Sequence, residues 1–507
     1  MKEPLKIILW GEEIGRLVWD SRTHNTYFTY HPDFLKKELD IAPLTAPKAG
    51  AKGHMPFWGD KDRKYRSLPP FLSDSLPDDW GNQLFERWRI EHKLSNAQIS
   101  PLEKLSFIGK RGMGALEFVP CVPLASAEER IDIQSLIDLA GRIFREREHV
   151  QILPEESLTE QALIVVGTSA GGRQPKAVLA INRKTGEIRS GQVAGLTDYD
   201  YCILKFGDPS RSSAELEMVY YAMCRMAGIQ MMESRLFEVE GHQHFLTRRF
   251  DRRNDEKLHT QTLAALCPGI ESYEGLLEVC RKLRLPEGAS EEIFRRMVFN
   301  VLANNTDDHD RNFSFLMDKT GCWQLAPAYD MTFIFNQDQG GFQPQEERCL
   351  MVRGKRMEIS KEDILSFARD NGIRRAEVII NQVAEALLSF RELAMQYGVK
   401  EEWANRVGGF LSAQLTAWGY IGTGVSGSSE SNPDLTELAG HAVSHARLEQ
   451  AYRGNYHLLA TIDGKAHKYV FRMGTREYDS IARKGGVNLS KEDLRELVTR
   501  FLIPKIN

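Results

Sequence analysis

Residues 294–330 read FRRMVFNVLANNTDDHDRNFSFLMDKTGCWQLAPAYD, and the rest of the chain is best read outward from them. Phe294, Met297, Val298, Val301 and Leu302 recur at i, i+3, i+4, i+7 and i+8, the apolar stripe of a buried helix. That helix runs into Asn304, Asn305, Thr306, Asp307, Asp308, His309, Asp310, Arg311 and Asn312, a burst of polar groups directly after a core element. A loop held by a rigid helix and followed by a strand (313–317) is where reactive groups tend to sit. Asp307 and Asn312 stand five apart, the spacing by which a phosphotransferase loop offers a carboxylate to a hydroxyl proton and an amide to a magnesium ion. A hairpin turned at 318–321 then returns a second carboxylate, Asp330, as a cation bridging phosphates requires. On this reading Asp307 is the base, and Asn312 and Asp330 are metal ligands. The same residues also suit a polar loop whose Asp and Asn side chains merely cap turns.

Upstream, residues 162–250 carry a second ordered signal. A short apolar run at 163–166 predicts a strand. It is followed by Gly167-Thr168-Ser169-Ala170-Gly171-Gly172-Arg173-Gln174-Pro175-Lys176 and a further strand at 177–181. Glycines between strands let backbone N–H groups approach phosphates closely, although a plain hairpin with a long loop fits as well. Residues 201–206 (YCILKF) predict a buried strand holding one lysine, Lys205, which needs a partner or a ligand there. A helix at 212–227 follows, with Glu215 and Glu217 as rival partners. The register favours Glu217. Two strands, 235–239 and 244–247, complete an order of elements that matches the N-lobe of a protein kinase, where a strand lysine grips phosphates and pairs with a helix glutamate. Residues 247–253, including Phe250, then connect the lobes, their arginines free to be surface groups or salt-bridge partners.

The remainder frames these two regions. A small meander is predicted at 4–30, a helix carrying Leu84, Phe85 and Trp88 is capped by Asp78 or Asp79, and the glycines of 109–114 read as a turn. Helices are expected at 272–283, 361–369 and 375–396. Residues 420–434 (YIGTGVSGSSESNPD) are the clearest linker. Beyond it, a helix at 434–450, strands at 456–462 and 468–473 turned at Asp463-Gly464, and a helix at 490–503 predict a small α+β unit. His441 and His445 stand four apart there with no third ligand nearby, so a metal role is not expected.

At 507 residues, with 42% hydrophobic and 27% charged residues, the chain predicts a globular protein of two or three domains. A formal net charge of −4 argues against a surface built for bulk nucleic-acid binding. Seven dispersed cysteines without a C-x-x-C pair suggest reduced thiols and a cytoplasmic location. No apolar run approaches the roughly 20 residues of a membrane span.

Taken together, 68–81 (LPPFLSDSLPDDWG), 106–118 (SFIGKRGMGALEF), 167–177, 250–252, 305–313 (NTDDHDRNF) and 325–330 (LAPAYD) give the chain a resemblance to the HipA-type serine/threonine kinases, toxins of HipBA-like toxin–antitoxin pairs. The resemblance covers roughly residues 1–415. It implies an α+β, two-lobed, protein-kinase-like fold with a β-rich N-lobe and a mostly helical C-lobe. The expected parts are 1–125 (N-terminal β-rich region), 126–252 (kinase N-lobe), 253–422 (helical catalytic lobe), 423–433 (linker) and 434–507 (accessory α+β unit). It implies ATP and Mg2+ as cofactors, Asp307 as the catalytic aspartate, and Asn312 and Asp330 as metal ligands. Lys205, His309, Gly171, Gly172, Lys176 and Phe250 would meet ATP, with Glu217 as the ion-pair partner of Lys205. Ser169 and Thr168 sit where members of the family phosphorylate themselves. The implied partners are a HipB-like DNA-binding antitoxin and a protein substrate, which in such systems includes aminoacyl-tRNA synthetases; nucleic acid is met only indirectly. A small-molecule kinase on the same fold, and a catalytically silent module that binds an antitoxin, are the competing readings. The 434–507 extension lies outside the resemblance.

Overall fold

The apolar stripe around Phe294 forms the helix Gly288–Leu302, which is buried along most of its length from Glu292 onward: Phe294, Met297, Val298, Phe299 and Leu302 are fully enclosed. The structure is a computed structural model that describes residues 3–51, 55–92, 99–124, 131–146, 157–168, 174–192, 196–253, 256–336, 342–421, 441, 443–450, 456–463, 465–471, 475–483 and 491–505. It divides into two compact units, Met1–Trp418 and Gly419–Asn507.

The first unit opens with an antiparallel sheet of β1 (Leu5–Leu9), β2 (Glu12–Asp20), β3 (Asn25–Tyr30), β4 (Phe57–Trp58) and β5 (Leu116–Val119) in the order β4-β3-β2-β1-β5. Leu5, Ile7 and Leu9 alternate into its core, as period-two patterning requires. Helices α1 (Pro32–Leu35), α2 (Pro70–Ser73), α3 (Asp79–Glu91) and α4 (Pro101–Ile108) belong to this part of the chain. Residue Asp78 is the N-cap of α3.

Helices α5 (Ile133–Glu146) and α6 (Ser157–Gly167) lead into β6 (Lys176–Asn182), β7 (Ile188–Ser190), β8 (Tyr199–Lys205), α7 (Ser213–Met226), β9 (Ser234–Val239) and β10 (His242–Arg248). The sheet runs β7-β6-β8-β10-β9, and α7 packs on β9 and β10. One expectation is corrected here. The run at 163–166 is helical, the end of α6, so the glycine-rich segment joins a helix to a strand instead of two strands. Leu163, Ile164, Val165 and Val166 are all buried, and four consecutive buried apolar residues carry no periodicity that separates the two states.

A β-ribbon of β11 (Arg252–Arg253) and β12 (Glu256–Lys257) precedes the three-stranded sheet β13 (His259–Thr262), β14 (Ser314–Met317) and β15 (Trp323–Leu325). Between β13 and β14 lie α8 (Leu263–Leu266), α9 (Tyr273–Lys282) and the buried helix α10 (Gly288–Leu302). Ser272 caps α9 by accepting from the Gly275 N–H at 3.2 Å. Asn304, at φ +54°, ends α10 in the left-handed region that asparagine tolerates. Helices α11 (Lys361–Asp370), α12 (Ala376–Leu388), α13 (Phe390–Gln396) and α14 (Glu401–Ala417) complete the unit. The single helix expected at 375–396 is two, broken at Ser389. Among the described residues no helix is long and apolar enough to cross a membrane.

The second unit has strands β16 (Val443–Gln450), β17 (Tyr456–Ile462) and β18 (Lys465–Phe471), then α15 (Arg476–Arg483) and α16 (Lys491–Phe501). Leu458, Ile462, Val498 and Leu502 lie in its own core. The helix expected at 434–450 is corrected: 443–450 is a strand. A register shift between Ser444 and Arg447 interrupts the in–out alternation, which hides the period of two from sequence inspection. Accordingly His445 lies on a strand, and His441 meets Asp463 at 2.6 Å.

Candidate functional site

Lys205 ends β8 in the middle of its sheet, opposite Lys176 of β6 on one side and Phe245 of β10 on the other. Buried between strands, its ammonium needs counter-charge. It finds two carboxylates in direct contact: Glu217 from α7 and Asp330, which follows β15. The face of α7 that turns Leu216, Val219 and Tyr220 inward also buries Glu217, whereas Glu215 is half-buried towards Lys400. Asp330 sits at φ +53°, a left-handed conformation that leaves its carboxylate on Lys205.

The charges order themselves. Burial alone would push the Lys205 ammonium down, but Asp330 and Glu217 outweigh it and hold its pKa above the ordinary value. Burial opposes ionisation of Asp330 too, yet Lys205 and Lys176 hold its carboxyl well below the usual range. Burial raises Glu217, and the neighbouring Asp330 charge limits what Lys205 can reverse. Burial likewise lowers Lys176, against the pull of Asp330. Asp330 is therefore the firmly ionised carboxylate of the pair, and it keeps 37% side-chain exposure.

The loop after α10 supplies the remaining groups. The Asp307 carboxylate is about half exposed, 3.8 Å from Nε2 of His309. Nδ1 of His309 accepts from the Arg311 N–H at 3.1 Å, which puts the imidazole proton of a neutral ring on Nε2, facing Asp307. Asn312 donates from Nδ2 to the Asp307 carbonyl at 2.6 Å, leaving its Oδ1 as the end available to a cation. The Arg311 carbonyl accepts from the Tyr329 hydroxyl at 2.7 Å, one residue before Asp330, so the loop and the lysine cluster are directly joined. The ring of Phe250 lies 5.4 Å from that of Tyr329, next to Asp330. Ser169, Gly171 and Gly172 lie outside the described residues. Thr168 is fully buried, donating to the Ile164 carbonyl at 2.8 Å and accepting from Arg111 at 3.2 Å, so its hydroxyl is closed here.

Sequence reasoning passed over the group that holds the loop in place. Asp308 is fully buried and accepts from the Tyr273 hydroxyl (2.7 Å), Arg348 (3.1 Å) and the N–H groups of Cys349 (2.9 Å) and Leu350 (3.2 Å). Adjacent aspartates thus face opposite ways, one into the protein and one outward. Paired acids at Asp307-Asp308 were the only available hint. Asp251 is similar: Arg249 grips it with two bonds at 2.8 Å, and Arg252 and the Gly114 N–H add two at 2.7 Å. The arginines of 248–252 are therefore largely ion-pair partners.

The fold and the cluster define a class: a mixed helix-and-sheet protein in which a strand lysine meets a helix glutamate and a loop aspartate. Comparison with known proteins narrows it. The profile of the HipA N-terminal domain matches residues 5–119, and that of the HipA-like C-terminal domain matches 168–390. The serine/threonine-protein kinase toxin HipA of Shewanella oneidensis is 20% identical over 356 residues, 63% of this chain and 73% of that protein. A Haemophilus influenzae protein named "putative kinase" is 25% identical over 281 residues, 48% of this chain and 80% of that protein. The solved complex of Shewanella oneidensis MR-1 HipA with HipB and operator DNA contains a similar fold, with TM-score 0.57 and 17% identity over 82% of this chain and 96% of that one. The chain belongs to the HipA family.

Proposed function

We propose that the chain is an ATP- and Mg2+-dependent protein serine/threonine kinase, the toxin of a HipBA-like pair. The observation that carries this reading is the three-way contact of Lys205 with Glu217 and Asp330, beside a loop bearing Asp307 and Asn312. A buried lysine shared by two carboxylates is a costly arrangement to keep without a ligand to bind. The names of the relatives point the same way.

The donor set suits magnesium. Asp330 offers an ionised carboxylate and Asn312 an amide oxygen, hard ligands of the kind that bind Mg2+ together with phosphates and water. Among the described residues no three His, Cys, Asp or Glu side chains converge, and a cation on Asn312 and Asp330 would take further ligands from phosphate and water. Held by Asn312 and Asp330, such a cation would supply positive charge to the phosphates. Lys205 and Lys176 supply positive charge to the phosphate oxygens, and Glu217 fixes the direction of Lys205. Asp307 would accept the proton of the attacking serine or threonine hydroxyl as its oxygen bonds to the γ-phosphorus and the bond from that phosphorus to the β–γ bridging oxygen breaks, ADP leaving; its half-exposed position suits a protein acceptor. His309 presents Nε2 towards Asp307 at 3.8 Å, beyond hydrogen-bonding distance, and Phe250 packs against Tyr329, next to Asp330. In this reading Gly171 and Gly172 are the glycines that would meet the phosphates. Ser169 is the autophosphorylation candidate of choice, since the Thr168 hydroxyl is enclosed. Phosphate there would repel the nucleotide's own charge and switch the enzyme off.

The partner in this reading is a HipB-like antitoxin that binds DNA, and the substrate is a protein of translation such as an aminoacyl-tRNA synthetase. The decisive test is incubation with ATP and Mg2+, followed by intact-mass measurement and peptide mapping, against Asp307→Ala. Phosphate on the parent alone supports the proposal. No nucleotide binding and no transfer by either protein would leave an antitoxin-binding module instead.

A further inference from the structure

The segment Pro77-Asp78-Asp79-Trp80-Gly81 lies far from the loop in sequence, with Asp78 separated from Arg311 by 233 positions. Three of its residues nevertheless reach three different parts of the site. Asp78 accepts from Nη1 of Arg311 at 2.9 Å. Arg311 stands between the proposed base and Asn312; its N–H donates to His309, and its carbonyl accepts from the Tyr329 hydroxyl at 2.7 Å, one residue before Asp330. The fully buried Trp80 donates from Nε1 to the Lys176 carbonyl at 3.1 Å. Gly81 touches the entry of the glycine-rich segment so closely that a Cβ on it would lie 2.6 Å from the Thr168 carbonyl oxygen. From the other side, a Cβ on Gly167 would lie 2.5 Å from Leu84 of α3 and 3.1 Å from the Trp80 nitrogen.

The segment is itself fixed. The Pro77 carbonyl accepts from Asn82 at 2.8 Å and from Arg66 at 3.0 Å. A second tie reaches the loop beside it, where Lys64 pairs with Asp310 and its carbonyl accepts from Arg311 at 3.0 Å. Other contacts of the N-terminal region only seat it on its neighbours: Trp10 donates to the Lys257 carbonyl at 2.6 Å, and Asp74 accepts from the Thr262 N–H at 2.6 Å.

We propose that residues 77–81 are a positioning element that sets the 307–312 loop and the start of the glycine-rich segment in register with each other. Asp78 acts on the loop through Arg311, Trp80 on the strand that carries Lys176, and Gly81 on the backbone at Thr168. The N-terminal region is then part of the catalytic apparatus without contributing a catalytic residue. This rests on the kinase reading above.

The division of labour makes the test specific. In the full chain, Asp78→Asn lowers kcat by about tenfold and leaves KM for ATP within about twofold, because a displaced loop misaligns the base. Arg311→Gln, which also loses the bond to the Lys64 carbonyl, lowers kcat at least as far, and the double variant is no worse than Arg311→Gln alone, since the Asp78–Arg311 bond is already lost in it. Gly81→Ala raises KM for ATP by about fivefold with a smaller change in kcat, because the added methyl displaces the Thr168 backbone. Asp78→Glu restores at least part of the lost kcat. Hydrogen exchange at the Arg311 and Asn312 amides quickens in Asp78→Asn. Additive effects of Asp78→Asn and Arg311→Gln, or equal kcat and KM losses that track melting temperature in every variant, would overturn the proposal. If the parent transfers no phosphate, the kinase reading fails by itself; exchange then decides, and unchanged rates at Arg311 and Asn312 overturn the positioning role.

Discussion

Replacing Lys205 with methionine removes the cation that two carboxylates share. Methionine has similar length and no charge, so the change isolates the electrostatics. It leaves Glu217, with 9% side-chain exposure, beside Asp330, with 37%. Breaking a buried ion pair from one side costs about 3–5 kcal/mol. Solvent screening discounts the share of Asp330, and a proton taken up by Glu217 recovers part of the rest, so the expected loss near pH 7.5 is about 3 kcal/mol. The pH dependence has a definite sign. In the variant Glu217 keeps its burial and its Asp330 neighbour but loses Lys205, so its folded pKa stands further above the unfolded one, whereas Lys176 still favours the ionised Asp330. A group raised in this way contributes stability that is full at low pH and fades as pH rises through the folded pKa. The gap between parent and variant therefore narrows by about 1–2 kcal/mol between pH 7.5 and 5.5. Urea titration followed by tryptophan fluorescence reads this cleanly, because all eight tryptophans lie within Met1–Trp418 and none in the second unit. A variant within about 0.5 kcal/mol of the parent at both pH values would show that Lys205 is not held between two buried carboxylates in solution.

Asp307→Asn is expected to cut phosphate transfer by about a thousandfold, with the melting temperature unchanged because that side chain is half exposed; calorimetry beside a transfer assay checks both halves. Asp308→Ala should behave in the opposite manner, destabilising the first unit by about 3–5 kcal/mol by stranding Arg348 and three other donors, as measured by the same urea titration. Acid should weaken the first unit in a particular window. Burial pushes both His244 and His259 down to about 4, so each contributes stability that is present above the ordinary histidine range and lost as pH falls towards 4. Each histidine accounts for about 2 kcal/mol between pH 7 and 5. Burial raises Asp74 to about 6, which works the other way and returns about 1 kcal/mol over the same range. A parent whose fluorescence midpoint stays level from pH 7 to 5, or rises, would contradict this balance.

What the amino-acid order determined by itself was local. The stripe Phe294, Met297, Val298, Val301 and Leu302 required a buried helix, and all five residues are enclosed. The hairpin around 318–321 and the one around Asp463 were set by turn residues between alternating runs, and both pairings are present. A lysine amid YCILKF demanded a counter-charge wherever it was buried. Tertiary structure decided the rest. Glu215 and Glu217 point about 200° apart on a helix, so the choice between them depends on which face of α7 meets the sheet. The runs at 163–166 and 443–450 were ambiguous because neither a short apolar stretch nor an alternation broken by a register shift carries a readable period. The ties of Asp308 to Arg348, of Asp78 to Arg311 and of Asp251 to the Gly114 N–H join residues far apart in the chain. Only folding brings such pairs within hydrogen-bonding range, because the energy that selects them, relief of buried charge, does not exist in the extended polypeptide.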